Sequence, residues 1–189
     1  EKLASLKATP DGTYVFGGGM SGNLFLWEAA GGKLLRVIPG HHRTLTSIDV
    51  SQDGLLVATG GADSIVHLWR LSDLMDYSVS NPLPSKSWNE HTRPVNWVHM
   101  GAGERRSLLV SCSDDHHCKV YDTCTHEVLL DTLFPSPLCV AITNAMDSGL
   151  FAGANDGVIY HFEIRVTSRE QLKEDPGAKK FVGHERAIT

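Results

Sequence analysis

Residues 40–69 read GHHRTLTSIDVSQDGLLVATGGADSIVHLW, in which three short apolar runs alternate with turn sequences. The first run alternates apolar and polar side chains, which is the period of a β-strand. The turn at 51–54 is Ser-Gln-Asp-Gly, and Gly54 can take the positive φ that a tight turn needs. The third run ends at Trp69. The predicted strands are residues 45–50, 55–59 and 65–69.

The third strand of this unit recurs along the chain, each time near an aromatic residue. Trp27, Trp69, Tyr121 and Phe162 end these copies and stand 42, 52 and 41 residues apart. A period of about 40–45 residues with this ending is typical of β-propeller blades, each a four-stranded sheet. Fourth, outer strands are predicted at residues 34–38 and 127–133. We therefore predict an all-β chain with blades at about residues 3–39, 40–90, 91–137 and 138–182, and the start of a further blade at 183–189.

The polar positions of these units resemble those of the WD-repeat family. The resemblance implies a buried, hydrogen-bonded tetrad in each blade, in which imidazole bridges a carboxylate to a hydroxyl and an indole. The second unit has all four residues, and the third has tyrosine in place of tryptophan. The implied tetrads are His41, Thr59, Asp63 and Trp69, and, as a partial set, His91, Ser111, Asp115 and Tyr121.

The first and last units depart from this pattern. Gly17 and Ser21 occupy the two polar positions of the first unit. Asp156 is present in the last unit, but Ala152 and Phe162 replace two partners and no histidine opens it. The family usually has seven blades, so the resemblance also implies that these four are part of a larger propeller.

Charge and hydropathy argue against several kinds of partner. The formal net charge is −5 and no basic block is present, which disfavours direct sequence-specific binding of nucleic acid. No run of about 18 apolar residues suggests a membrane span, so no membrane partner is expected. A glycine-rich phosphate loop between a strand and a helix is also missing, and no cofactor or small-molecule substrate is expected.

Candidate catalytic and metal-binding residues have simpler structural explanations. His41, Thr59 and Asp63 could be mistaken for a catalytic trio, but their places in the blade make them structural, and no catalytic residue is assigned. The four cysteines lack paired CxxC spacing. A metal site at Cys112 and Cys118 is conceivable, yet we expect buried thiols in a reducing compartment and assign no metal ligand.

Two long insertions follow the third-strand aromatic, at residues 71–88 and 165–180. Ser72 could cap a short helix at the start of the first insertion, whose second half is rich in proline and serine. A capping box at 168–171 favours a short helix in the second. Both could be solvated loops. Because loops on a rigid scaffold often carry binding residues, both could also contact partners on one face of the propeller.

The order of these features resembles one group of WD-repeat proteins more closely, the propeller subunits of the rixosome. The shared features include both insertions and the sequence Leu-Phe-Pro-Ser-Pro at 133–137 in place of a Gly-His step. The resemblance implies a nuclear scaffold, in nucleolus and nucleoplasm, that joins other rixosome subunits to pre-60S ribosomal particles and supports spacer processing of pre-rRNA. The alternative is a receptor for peptides or substrates, such as a ubiquitin-ligase adaptor or histone reader, but the turns near the channel show no aromatic cage.

Overall fold

The computed structural model describes residues 1–102, 108–164 and 179–182. These residues form four antiparallel sheets of four strands each, and in every sheet the strands lie side by side in chain order. One short helix, α1, spans Leu71–Met75 between the third and fourth strands of the second sheet. Within the described ranges no helix is long and apolar enough to span a membrane.

The strand bounds of the four sheets are as follows. Sheet 1 contains β1 (Leu3–Ala8), β2 (Tyr14–Gly19), β3 (Asn23–Glu28) and β4 (Lys33–Pro39). Sheet 2 contains β5 (Leu45–Val50), β6 (Leu56–Gly61), β7 (Val66–Arg70) and β8 (Lys86–Trp88). Sheet 3 contains β9 (Val95–Met100), β10 (Leu108–Ser113), β11 (His117–Asp122) and β12 (Val128–Leu133). Sheet 4 contains β13 (Leu138–Thr143), β14 (Gly149–Ala154), β15 (Val158–Glu163) and β16 (Lys179–Val182).

In sheets 1 and 2, hydrogen bonds between its own side chains hold the turn that joins the first two strands. The Ser51 hydroxyl donates to Asp53 Oδ1 at 2.5 Å, and Gly54 has a φ of +72°. In sheet 1, Thr9 donates to Asp11 in the same way. Such turns reverse the chain tightly, so successive strands pair as hairpins.

Neighbouring sheets are held together by three apolar cores. The first core joins sheets 1 and 2 and includes Phe16, Leu26, Ile48, Val57 and Trp69. The second joins sheets 2 and 3 and includes Ala58, Leu68, Val98, Leu109 and Tyr121. The third joins sheets 3 and 4 and includes Val110, Val120, Leu138, Ala152 and Tyr160. Each middle sheet therefore buries both of its faces.

The first strands of the sheets also lie next to one another, β1 beside β5, β5 beside β9, and β9 beside β13. Sheets stacked face to face with their first strands together have the geometry of propeller blades. The predicted all-β propeller architecture is thereby confirmed, as four stacked blades within a propeller fold.

The insertions are shorter than the sequence suggested, because each includes part of an outer strand. The last three residues of the predicted first insertion, Lys86–Trp88, form β8 and pair with β7. The last two of the predicted second insertion belong to β16.

Candidate functional site: tetrads, a polar relay and an anchored insertion

The structure brings the four tetrad residues of sheet 2 into one chain of hydrogen bonds. His41 Nδ1 lies 2.9 Å from Asp63 Oδ1, and His41 Nε2 lies 2.9 Å from Thr59 Oγ1. Trp69 Nε1 donates to the same hydroxyl oxygen at 3.0 Å. The carboxylate can only accept, so Nδ1 donates to it and the Thr59 hydroxyl proton can point to Nε2.

Asp63 accepts hydrogen bonds from three groups of this network. Burial opposes its ionisation, but the hydrogen bond from His41 and the backbone N–H groups of His42 and Ile65 prevail and lower its pKa to about 2. The His41 side chain is fully buried, so its ring offers no open face to a substrate. These hydrogen bonds connect the loop that precedes β5 to the β6–β7 turn, which is a structural role.

A second histidine, His67, packs on the first. Its ring centroid lies 4.5 Å from that of His41, and its Nδ1 lies 2.8 Å from the Ser87 hydroxyl on the outer strand. Burial lowers the pKa of His67 to about 4. His67 is therefore neutral at pH 7 and extends the polar network to β8.

Sheet 3 repeats the arrangement with tyrosine in the last place. His91 lies 2.9 Å from Asp115 Oδ2 through Nδ1 and 2.7 Å from the Ser111 hydroxyl through Nε2. Tyr121 reaches Ser111 through its own hydroxyl at 3.2 Å. Burial lowers the pKa of His91 and raises that of Tyr121. A phenol thus replaces the indole without loss of the hydrogen-bonded chain.

Sheet 4 fills the corresponding space with apolar rings. Phe134 stands where a histidine would open the blade and contacts Tyr160 at 5.1 Å and Phe162 at 5.9 Å between ring centroids. Asp156 accepts a hydrogen bond from the Tyr160 hydroxyl at 3.3 Å. The sequence showed that residues 133–137 replace the Gly-His step, but the packing of Phe134 on Tyr160 was not predicted, since it depends on contacts between sheets.

A polar relay joins the first strands of neighbouring sheets and was not predicted. Asp49 on β5 lies 2.7 Å from Lys7 Nζ on β1 and 3.1 Å from His99 Nδ1 on β9. The backbone N–H of Met100 also donates to Asp49 at 2.8 Å. His99 Nε2 in turn lies 3.3 Å from the Thr143 hydroxyl on β13. Although burial opposes ionisation of Asp49, His99 and Lys7 outweigh it and lower its pKa.

Arg36 on β4 holds the first insertion against sheet 1. Its guanidinium donates to the backbone carbonyl oxygens of Leu74, Asp76, Val79 and Ser80 at 2.5–3.0 Å. The ring of Tyr77 lies 5.6 Å from the same guanidinium. Leu74, within α1, is fully buried. The insertion is thus an anchored surface feature rather than a free loop. No local motif in the sequence pointed to Arg36.

Ser72 does not cap α1, because Arg70 is the N-cap residue and the Ser72 hydroxyl bonds Asp73 instead. At the C-terminal end of α1, Arg36 donates to the Leu74 carbonyl oxygen. At its N-terminal end, the Leu71 N–H donates to the Leu55 carbonyl oxygen. The predicted capping box at 168–171 lies outside the described residues.

The four cysteines differ in how deeply they are buried. Cys112 and Cys118 are opposite each other in the β10–β11 pairing, are fully buried, and have raised pKa values because of that burial. The expectation of buried thiols is confirmed for these two and wrong for Cys124, which is exposed, whereas Cys139 is partly exposed. Across ranges 1–102, 108–164 and 179–182, no three metal-ligand side chains cluster.

Part of the chain matches the model of a known protein family. The family model described as "WD domain, G-beta repeat" matches residues 32–70 and 83–122. The chain thus contains WD40 repeats at residues 32–70 and 83–122. Its two matched stretches contain both complete hydrogen-bonded tetrads. The WD-repeat resemblance of the sequence is therefore confirmed, and WD40 propellers generally act as non-catalytic scaffolds.

The relatives of these WD40 repeats include proteins named for pre-rRNA processing. The chain is 36% identical to Protein ROOT INITIATION DEFECTIVE 3 of Arabidopsis thaliana, over 89% of the chain and 39% of the relative. It is 28% identical to WD repeat-containing protein 18 of Bos taurus, over 99% of the chain and 44% of the relative. Pre-rRNA-processing protein IPI3 of Mycosarcoma maydis is 25% identical, over 86% of the chain and 30% of the relative.

Among solved structures, the one titled "Structure of U3-55K" superposes with a TM-score of 0.77 at 18% identity. It covers 98% of this chain, which covers 53% of that structure. At this identity the likeness concerns the fold alone. The WD40 repeats described here thus span about half of that structure and 30–44% of the relatives named above.

Proposed function

We propose that this chain is part of a non-catalytic WD40 scaffold that works in ribosome biogenesis as a subunit of the rixosome. The observation that carries the proposal is the likeness to WD repeat-containing protein 18 over 99% of the chain. That likeness extends well beyond the two stretches matched as repeats, so it concerns the whole arrangement of blades and insertions. IPI3, a second relative, is named for pre-rRNA processing.

The chemistry of the polar side chains supports a scaffold. The His41, Thr59 and Asp63 side chains, which could suggest a hydrolase, are buried and bound to one another and to Trp69. Each hydrogen-bonding group of this set already has a structural partner. We therefore assign the tetrads to blade stability and assign no catalytic residue.

The partners in this proposal are other rixosome subunits and pre-60S particles, in the nucleolus and nucleoplasm. Residues 71–88 and 165–180 are the proposed contact segments. Arg36 anchors the backbone of the first segment between Leu74 and Ser80, which reduces the entropy lost when a partner binds. Because the net charge of the chain is −5, we propose no direct sequence-specific contact with nucleic acid. We propose no membrane or small-molecule partner either.

Affinity purification of the full-length protein from its native cells tests this proposal. We expect large-subunit assembly factors to co-purify in stoichiometric amounts, and to be recovered at unchanged levels after nuclease treatment. Recovery of ubiquitin-ligase subunits or histones instead would support the receptor alternative and contradict the proposal.

A further inference from the structure

Two exposed arginines stand at corresponding positions of neighbouring sheets. Arg43 lies two residues before the start of β5, and Arg93 lies two residues before the start of β9. The strands β5 and β9 are adjacent, and the Thr46 hydroxyl donates to the Val95 carbonyl oxygen across them. Both arginines therefore project from the same end of two packed blades.

The tetrads hold the backbone of the two loops that carry these arginines. The N–H of His42 donates to the Asp63 carboxylate at 2.9 Å. In the next sheet, the N–H of Thr92 donates to the Asp115 carboxylate at the same distance. Because these loops are fixed before a partner arrives, little backbone entropy is lost when they bind one.

The positive charges of the two arginines are not used within the part of the chain that the structure describes. Neither guanidinium forms a hydrogen bond or an ion pair with a residue of ranges 1–102, 108–164 and 179–182. The nearby carboxylates of Asp63 and Asp115 are bound to the tetrad histidines. That of Asp114 accepts a hydrogen bond from the Asn96 amide at 2.7 Å. Both guanidinium groups can therefore take an anion from a partner.

We infer that Arg43 and Arg93 together bind an acidic segment of a partner protein through its aspartate and glutamate side chains. A guanidinium donates two parallel hydrogen bonds to one carboxylate, so two arginines can hold two carboxylates of one segment. The chain as a whole has a net charge of −5, so an acidic partner needs a local cationic feature of this kind in order to dock.

The distribution of charge favours a short acidic peptide over a nucleic acid. At the position of the two arginines, sheet 1 has Glu1 and sheet 4 has Ser136. Glu90, on the same loop as Arg93, is exposed. A nucleic acid strand carries a phosphate on every nucleotide, and its phosphates would meet these carboxylates. Two adjacent cations match a segment with a few carboxylates.

This surface is separate from the first insertion. The insertion follows the end of β7, which runs parallel to β5, so it lies at the opposite end of sheet 2 from Arg43. The inference rests on the proposed scaffold function, because it assumes a protein partner, but it does not depend on that partner's role in ribosome assembly.

Photo-crosslinking in native cells tests the contact. The full-length protein replaces the endogenous copy, with p-benzoylphenylalanine at position 92 or, as a control, at position 55. Thr92 and Leu55 are both exposed, and Leu55 lies in the β5–β6 turn at the opposite end of sheet 2. We expect a partner peptide with at least three Asp or Glu in ten residues to crosslink from position 92 and not from position 55. A peptide without such residues, a crosslink to RNA or to the same chain, or none above the control would overturn the inference.

Charge reversal then tests whether the arginines carry the binding. The double variant Arg43→Glu with Arg93→Glu should reduce co-purification of the crosslinked protein about tenfold or more, whereas Arg70→Glu, at the opposite end of sheet 2, should retain it. Because both side chains are exposed, we expect an unchanged melting temperature. Arg43→Gln with Arg93→Gln, which adds no negative charge, should show a smaller loss.

A compensating change completes the test. Replacing the acidic residues of the crosslinked peptide by arginine should restore co-purification with the charge-reversed double variant. Full retention of the partner by both double variants, or no restoration by the compensating change, would overturn the inference.

The two proposals can fail separately. An acidic partner with no part in ribosome assembly would uphold the arginine pair and contradict the proposed function. Full recovery of assembly factors, with no effect of charge reversal on any crosslinked protein, would overturn the arginine pair alone.

Discussion

Asp63 accepts hydrogen bonds from three groups that have no other acceptor in the tetrad, namely the His41 ring and the backbone N–H groups of His42 and Ile65. Asp63→Ala leaves these donors unpaired, and the His41 ring among them is fully buried, so we expect the free energy of unfolding to fall by about 1–3 kcal/mol. Urea denaturation of the full-length protein measures this loss.

Asp156 in sheet 4 provides the matched control for that substitution. It occupies the same place in its blade but accepts from Val158 and Tyr160, without a histidine. Asp156→Ala should therefore cost less than Asp63→Ala. Equal losses for the two variants would contradict the role given to His41.

The buried His67 predicts how stability depends on pH. Its folded-state pKa of about 4 lies below the ordinary value of 6.5, so between these values the unfolded chain binds more protons. The stabilisation that comes from a neutral His67 is complete above pH 6.5 and is lost as the pH falls toward 4. At pH 5 we expect the loss from this residue to be about 1–2 kcal/mol.

The variant His67→Gln isolates this contribution, because glutamine can still bond Ser87 and does not titrate. Urea unfolding at pH 7 and pH 5 should show a smaller difference for the variant than for the wild-type protein. The same pH dependence in both proteins would show that other groups carry it.

At the scale of elements, the first insertion depends on a single arginine. A helix of five residues is too short to be stable by itself, and α1 has no side-chain cap. Arg36→Lys keeps the charge but cannot reach four carbonyl oxygens with a planar fork of donors. We expect faster amide hydrogen exchange in residues 74–84, with little change in the melting temperature.

Arg70→Lys is the control for this exchange experiment, since Arg70 is exposed at the end of β7. Exchange in residues 74–84 should match the wild-type protein in this variant. Unchanged exchange in Arg36→Lys would mean that other contacts hold the insertion.

The strands could be predicted from the sequence because each one has its own local pattern. Residues 45–50 alternate apolar and polar side chains, and Gly54 marks the turn that follows. The path of the first insertion could not be predicted, because Arg36 lies 38 to 44 residues before the carbonyl groups that it binds. The ring contacts of Phe134 could not be predicted for a similar reason, since its partners Tyr160 and Phe162 belong to another hairpin.

At the scale of the whole molecule, the stacked sheets are joined by apolar cores and by the relay through Asp49. This carboxylate bonds strands of three sheets, so Asp49→Ala should lower the free energy of unfolding by about 2 kcal/mol in urea denaturation. Lys7→Ala removes a half-exposed partner and leaves Asp49 bonded to His99 and Met100. Its cost should stay below about 1 kcal/mol, and a cost equal to that of Asp49→Ala would contradict the relay.

The scaffold proposal is tested most directly by pre-rRNA processing after loss of the full-length protein. Following rapid depletion in native cells, hybridisation with a probe to the internal transcribed spacers of pre-rRNA should show spacer-containing precursors rising severalfold. Re-expression of the wild-type protein should restore normal levels, and a variant without residues 71–85 and 165–178 should restore them poorly while remaining folded. Unchanged levels of spacer-containing precursors after depletion would contradict the proposed function.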